Sequence, residues 1–288
     1  MGQFVPMQKI NKLAIFDIDG TLRIDGVVPE NVVVGLKHIQ QIGYNTTVST
    51  GRGYIRAKEA LGENFNVAIS SDALIILEHG TKITDRDGKI LFANYFQQNE
   101  IEHIVDFTKA NEEIVKLLWF NPPDVSKKVQ VWVLDPKHLP EEVAKRGHYA
   151  DVFTCSYDQL KERLLAQPLS NATAKLKEYI KVNNLKLHFT RSEINTLFQD
   201  GNMEFVRNIA NKAEAVNYIE KYFNIQTEDI LIAGNAINDV EMLNLEAGKR
   251  ILVGNSETLK TVLGYISKPE KTITVGDPEE LGLYLQKM

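Results

Sequence analysis

The sequence predicts an α/β protein, a doubly wound parallel sheet interrupted by an inserted α+β segment. Three features point there. Short apolar runs alternate with helical patterns at both ends of the chain, as in sheets buried on both faces. Three of those runs finish in clusters of Asp, Ser, Thr and Asn. The middle abandons the alternation and strings strand patterns together around two helical ones.

Leu13–Phe16 is an apolar run too short for a helix and reads as a strand buried on both faces. Val33–Ile42 follows as a helix, with Val33, Leu36 and Ile39 at helical spacing. Gly43 stops it, and Tyr44–Ser49 gives the second strand. Arg56–Leu61 reads as a helix and Val67–Ile69 as a third short strand. The end of the chain repeats the order with helix Ala213–Phe223, strand Ile230–Ala233, helix Asp239–Leu245 and strand Arg250–Val253. Between these regions, Val115–Phe120 and Val129–Leu134 read as neighbouring strands across the turn-rich Asn121–Asp124. Tyr157–Leu165 and Thr173–Val182 read as helices. Leu187–Thr190, Thr196–Gln199 and Glu204–Val206 read as strands, the last two joined by a turn at Asp200–Gly201. The expected division is a discontinuous core, residues 1–85 and 205–288, around an insertion at 86–204.

Composition narrows the function classes. A net charge of -5 and a pI near 5.8 argue against nucleic acid as a partner, because phosphate-tracking surfaces are strongly basic. No stretch approaches the ~20 apolar residues of a membrane span. Leu13–Phe16 runs straight into acidic residues, unlike the apolar region of a signal peptide. Cys155, the single cysteine, excludes an intramolecular disulfide and fits a reducing compartment. It reads as a small apolar residue, since no activating base stands near it in sequence. The six histidines show no paired ligand spacing and are assigned to scattered surface or insertion positions. The expectation is a cytoplasmic monomer or homodimer.

The candidate site comes from the strand ends: Asp17-Ile18-Asp19-Gly20-Thr21, Ser49-Thr50-Gly51-Arg52 and Gly234-Asn235-Ala236-Ile237-Asn238-Asp239. In open α/β sheets ligands bind beyond the carboxyl ends of the strands, so these clusters should converge. Asp17 and Asp19 are two apart and project to the same side of an extended chain. Two carboxylates held close cannot both ionise freely, which divides them into an attacking group and a proton carrier. Gly20 permits the turn that follows. Asp-x-Asp also opens calcium loops, but positions 21 and 28 are Thr and Val where further acids are needed, and a buried strand precedes. A solvated turn without a role is the remaining bland reading.

Phe16-Asp17-Ile18-Asp19-Gly20-Thr21-Leu22 resembles the first motif of the haloacid dehalogenase superfamily of phosphohydrolases. Ser49-Thr50-Gly51-Arg52, Asn211-Lys212-Ala213-Glu214-Ala215 and Gly234-Asn235 through Leu243 are similar to its second, third and fourth motifs. Their order and spacing look like the branch of Cof-like sugar phosphatases and of sucrose-phosphate and mannosyl-phosphoglycerate phosphatases. There a large cap is inserted between the second and third motifs of a Rossmann-like core. The resemblance implies that Asp17 is a covalent nucleophile and Asp19 the general acid and base. It assigns Thr50, Gly51 and Lys212 to the phosphoryl oxygens, and Mg²⁺ to Asp17, Asp19, Asn235 and Asp239. Arg52 and Asn238 contact substrate or brace the loops. Taken alone, Thr50 also fits a strand-end hydroxyl bonded to backbone, and an isolated Lys212 reads as a solvated surface lysine.

One departure stands out. The fourth motif usually starts Gly-Asp, the Asp being a direct metal ligand, and this chain has Gly234-Asn235. An amide offers a hard oxygen without the charge, so metal affinity should fall. The implied activity is Mg²⁺-dependent hydrolysis of a small phosphate ester, a sugar or polyol phosphate. A degenerate ligand-binding member and a phosphomutase are the competing readings.

Overall fold

Lys12–Phe16 forms the first strand, β1, in a computed structural model that describes residues 10–125, 127–176, 194–199, 202–207 and 211–288. Helix α1 (Glu30–Gln41) and strand β2 (Tyr44–Val48) follow as expected. Helices α2 (Tyr54–Leu61) and α3 (Phe65–Ala68) lead to short strands β3 (Ile75–Leu77), β4 (Lys82–Thr84) and β5 (Ile90–Ala93), which form a small sheet of their own. Val67–Ile69 is therefore not the third core strand. Phe65 and Ala68 turn into the core from a helical turn, and a three-residue apolar run carries no periodicity to separate the two outcomes.

The chain divides into one unit of Met1–Leu91 with Asn211–Met288 and a second of Phe92–Ala210. The edges fall at 92 and 210, against the expected 86 and 204. β5 straddles the first edge.

The second unit holds α4 (Gln98–Ala110), β6 (Val115–Phe120), β7 (Val129–Val133), α5 (Leu139–Arg146), β8 (Ala150–Phe153), α6 (Tyr157–Leu165), β9 (Ala172–Leu176), β10 (Ile194–Gln199) and β11 (Asn202–Arg207). Among the described residues its six strands lie in the order β10-β11-β9-β6-β7-β8, antiparallel except for β7 with β8. The expected helix at Thr173–Val182 is replaced over 172–176 by β9. That segment is flanked on both sides by β6 and β11, and pairing in mid-sheet overrides its helix-forming Ala, Lys and Leu. Residues 177–182, the expected strand Leu187–Thr190 and the turn at 200–201 lie outside the described residues. Cys155 is half-buried at the margin of this unit's core, and burial pushes its thiol up, which keeps it protonated.

The first unit resumes with α7 (Lys212–Phe223), β12 (Ile230–Gly234), α8 (Val240–Leu243), β13 (Lys249–Val253), α9 (Ser256–Leu263), β14 (Thr272–Val275) and α10 (Pro278–Leu285). Its five-stranded sheet, β14-β13-β12-β1-β2, is parallel throughout. Alternate residues of β1 enter two separate cores. Ala14 and Phe16 pack with α1, α2, α3 and α10, while Leu13 and Ile15 pack with α7, α8 and α9. This is the double winding read from the sequence. The chain leaves β1 toward β2 on one side and returns through β12 on the other. The switch of direction therefore opens a crevice beyond the end of β1, where Asp17 begins. Among the described residues, no helix is long and apolar enough to cross a membrane.

Helices α1 and α10 cross at a very close approach. A Cβ added to Gly282 would lie 2.3 Å from the Asn31 carbonyl carbon and 2.5 Å from the Val32 nitrogen. Gly282→Ala gains helix propensity of about 1 kcal/mol but forces two backbones apart. The melting temperature should fall by several degrees. A rise would show that the crossing relaxes without strain.

Candidate active site

Asp17 continues β1, and its amide donates to the Ala233 carbonyl of β12 at 2.9 Å. On the other side the Ser49 amide donates to the Phe16 carbonyl at 2.8 Å, which brings the second cluster alongside. Gly20 turns the chain back at φ +83°. A Cβ there would sit 2.1 Å from Asn235 Nδ2, so the β1 loop and the β12 loop are in direct contact. Thr21, fully buried, donates its hydroxyl to Asn235 Oδ1 at 3.3 Å.

Lys212 is the centre of the arrangement. Asn211 caps α7, its side-chain oxygen accepting the Glu214 amide at 2.8 Å, and this fixes where the first residue of the helix points. The Lys212 side chain is 1% exposed, and its ammonium donates to Asp17 Oδ1 at 2.6 Å and to Asp239 Oδ1 at 2.5 Å. The surface reading of this lysine is excluded by its burial. Asp239 Oδ2 accepts the amides of Asn235 and Ala236 at 2.9 and 3.1 Å. Asp239 thus anchors both the lysine and the β12 loop.

Asp19 points elsewhere. Arg52 grips it with two bonds, Nε to Oδ2 at 2.6 Å and Nη2 to Oδ1 at 2.9 Å, and Arg23 Nη1 approaches Oδ1 at 3.4 Å. Arg52 therefore braces the acid directly, a partnership not read from the sequence. Arg23 was missed altogether, since nothing in its surroundings carries a periodic or motif signal. Thr50 is buried, and its oxygen accepts the Arg52 amide at 3.2 Å, which leaves the hydroxyl proton to be donated. Asn238 Oδ1 is buried with no hydrogen-bond partner.

These contacts divide the charges. Burial pushes the Asp17 carboxyl up from the ordinary 3.8 to about 7, with Lys212 opposing and Asp239 reinforcing the shift. Burial acts on Asp19 in the same direction, but Arg52 and Arg23 outweigh it and hold that carboxyl below its usual range. Lys212 is pulled down by burial and raised more strongly by its two carboxylates, so it stays charged.

The donors suit a hard divalent cation in kind, being oxygens throughout. They differ in availability. Asp19 and Asp239 have both carboxylate oxygens engaged, whereas Asp17 keeps its Oδ2 and the Asn235 amide oxygen holds only the long contact from Thr21. Among the described residues, no three His, Cys, Asp or Glu side chains cluster at metal-binding spacing.

The raised Asp17 carboxyl makes a prediction of definite sign. Stability that is complete below pH 4 is lost as pH climbs through about 7, because ionisation then opposes folding. Asp17→Asn removes that loss. In metal-free buffer the difference in melting temperature, variant minus wild type, should be several degrees larger at pH 8 than at pH 5. A flat difference would contradict the shift.

A family model for haloacid dehalogenase-like hydrolases matches residues 14–276. A protein named HMP-PP phosphatase from Cronobacter sakazakii is 26% identical over 261 residues, which span 85% of this chain and 85% of that protein. Its namesake from Enterobacter sp. strain 638 is 24% identical over 262 residues, with the same coverage. A phosphatase of the haloalkanoate enzyme superfamily from Bacteroides thetaiotaomicron superposes with a TM-score of 0.73 at 15% identity, covering 99% of this chain and 98% of the other. A subclass IIB sugar phosphatase gives 0.69 at 15% identity, covering 95% and 96%. The two superpositions establish the fold, and the family match over 14–276 spans every site residue described above. The chain belongs to the haloacid dehalogenase-like hydrolases, in the Cof-like branch, and is an enzyme of that family's phosphatase type.

Proposed function

We propose that the protein hydrolyses a small phosphate monoester, of the sugar or polyol phosphate class, through a phosphoryl group carried on Asp17. The observation that carries this reading is the Lys212 ammonium held between Asp17 and Asp239 at the carboxyl ends of β1 and β12. A carboxylate attacking a phosphate dianion meets charge repulsion, and a buried ammonium fixed beside the attacking oxygen offsets it. Asp17 attacks phosphorus, the bond to the leaving oxygen breaks, and Asp19 gives that oxygen a proton. Water then attacks the aspartyl phosphate while Asp19 takes its proton, releasing phosphate and restoring Asp17. Arg52 holds Asp19 as a carboxylate at rest, so before it donates, Asp19 leaves that grip as substrate enters and takes up a proton from water; the proton it takes in the second step restores that acid form. Thr50 and the Gly51 amide hold phosphoryl oxygens. Asp239 keeps Lys212 aimed at Asp17. Asp17 and the Asn235 amide oxygen would hold Mg²⁺, which would supply further positive charge at the phosphoryl group.

The single cysteine and the absence of long apolar segments support a cytoplasmic setting. Asn235 favours a second reading, a ligand-binding member with weak or no turnover.

Phosphate release from a metabolite panel, with and without Mg²⁺, tests the proposal. The panel includes sugar phosphates and HMP-PP, after the structural neighbour and the relatives that bear those names. Asp17→Asn should keep the fold and lose at least about 99% of turnover, and a variant that retains more sinks the covalent role. Asn235→Asp restores a charged oxygen at the metal position. The half-saturating Mg²⁺ concentration should drop about tenfold, the equivalent of about 1.4 kcal/mol, with a smaller rise in turnover at saturating metal. An unchanged midpoint means that Asn235 does not meet the cation. Absence of turnover in both forms on every ester favours the binding reading.

A further inference from the structure

The turn after β3 is strained. Glu78, His79 and Gly80 all have left-handed backbones, with φ of 51°, 58° and 95°. Such a conformation is rare for one non-glycine residue and rarer for two in succession, and it persists only where the surroundings over-determine it. Here they do. Glu78 and Lys82 form an ion pair at 2.9 Å in which both side chains are 1% exposed, and the Thr81 hydroxyl donates to the Glu78 carbonyl at 2.9 Å.

The turn also touches two of the loops that hold the site. Three backbone hydrogen bonds zip it and β3 to the second cluster: Thr50 to the Ile76 carbonyl at 3.0 Å, Glu78 to the Arg52 carbonyl at 3.1 Å, and His79 to the Thr50 carbonyl at 3.1 Å. Gly51 stands inside this zipper. A Cβ there would lie 2.4 Å from both Cε1 and Nε2 of His79, so the imidazole edge lies flat on the glycine. On the other side, a Cβ at Gly80 would lie 2.2 Å from the Asn211 carbonyl oxygen and 3.1 Å from the Lys212 nitrogen. The turn is wedged between the Thr50–Arg52 loop and the start of α7. His79 is buried, contrary to the surface or insertion position expected of it.

We propose that His79 is a positioning residue for phosphoryl transfer, its ring seated on Gly51 so that the Gly51 amide and the Thr50 hydroxyl stay aimed at the phosphoryl oxygens. The role rests on the phosphatase reading above. A loop that drifts by a fraction of an ångström still binds substrate but stabilises the transition state less. The proposal therefore separates kcat from KM, which a space-filling histidine does not do.

The test uses the full chain with Mg²⁺ and p-nitrophenyl phosphate. His79→Asn and His79→Gly both suit a left-handed backbone and both remove the ring, so neither adds backbone strain. Each should lower kcat at least tenfold, leave KM within about threefold, and shift the melting temperature by only a few degrees. Gly51→Ala should be severe alone. Adding His79→Gly, which vacates the space the new methyl needs, should recover part of the lost melting temperature. Both His79 variants keeping kcat within twofold overturns the proposal, and so does loss of folding in both, which makes the ring a core contact only. A wild-type chain that releases phosphate from no ester overturns the phosphatase reading instead.

Discussion

An ammonium buried between two carboxylates is the constraint on which the rest of this site depends. Lys212 leaves water completely and recovers that cost only because Asp17 and Asp239 are both within 2.6 Å of it. Removal of the lysine leaves two buried carboxylates without compensation, which typically costs several kcal/mol. Three elements must therefore end within one short span: β1 at Asp17, the loop after β12 at Asp239, and α7 at its first residue. The parallel pairing of β1 with β12 and the Asn211 cap secure these positions. With Asp17 ionised the triad carries one net negative charge in a dry place, and burial pushes the Asp17 carboxyl up, with Lys212 opposing and Asp239 reinforcing the shift.

The loops around the triad interlock through contacts that admit no extra atom. Gly20 lies under the Asn235 amide, and Gly51 lies under the His79 ring. Each glycine lets a side chain from a different strand end reach backbone directly, so the loops beyond the sheet pack against one another without a gap. Strain in the Glu78–Gly80 turn belongs to the same design. A left-handed pair of non-glycine residues stores of order 1–3 kcal/mol each, and the buried Glu78–Lys82 pair is what keeps the turn from relaxing.

Much of this was legible in the sequence because the signals were local. β1 and β12 are short apolar runs, β2 is a Thr- and Val-bearing stretch just after the Gly43 helix stop, and their polar ends announce the crevice directly. Lys212 was legible only through the order of its motif, since burial of a lysine depends on partners 195 and 27 residues away. β9 was misread for the same reason. Its residues favour a helix, and only the flanking strands β6 and β11 make it extended. His79 and Arg23 left no trace at all. One depends on backbone dihedrals that its residue type disfavours, and the other on a salt bridge formed across a turn. The short strands β3 to β5 were invisible because three or four residues carry too little periodicity to separate a strand from a turn.

Asn235 can be understood through the charge count of the resting site. Asp17, Asp19 and Asp239 supply three negative groups, and Lys212, Arg52 and Arg23 stand against them with three positive ones. With Asp17 ionised and an amide at 235, the cluster is balanced on its own protein charges. An Asp in the same place would add a fourth negative group beside Asp17, whose carboxyl burial already disfavours as an anion. The amide also suits its neighbours, accepting from the Thr21 hydroxyl while lying against Gly20. A balanced site does not repel an incoming phosphate dianion as a negative one does, but it also offers a divalent cation less attraction before the phosphate arrives. On the proposed function, most of the pull on the cation then comes from the substrate's own phosphate. Cation and substrate would each strengthen the binding of the other, by the same factor in both directions.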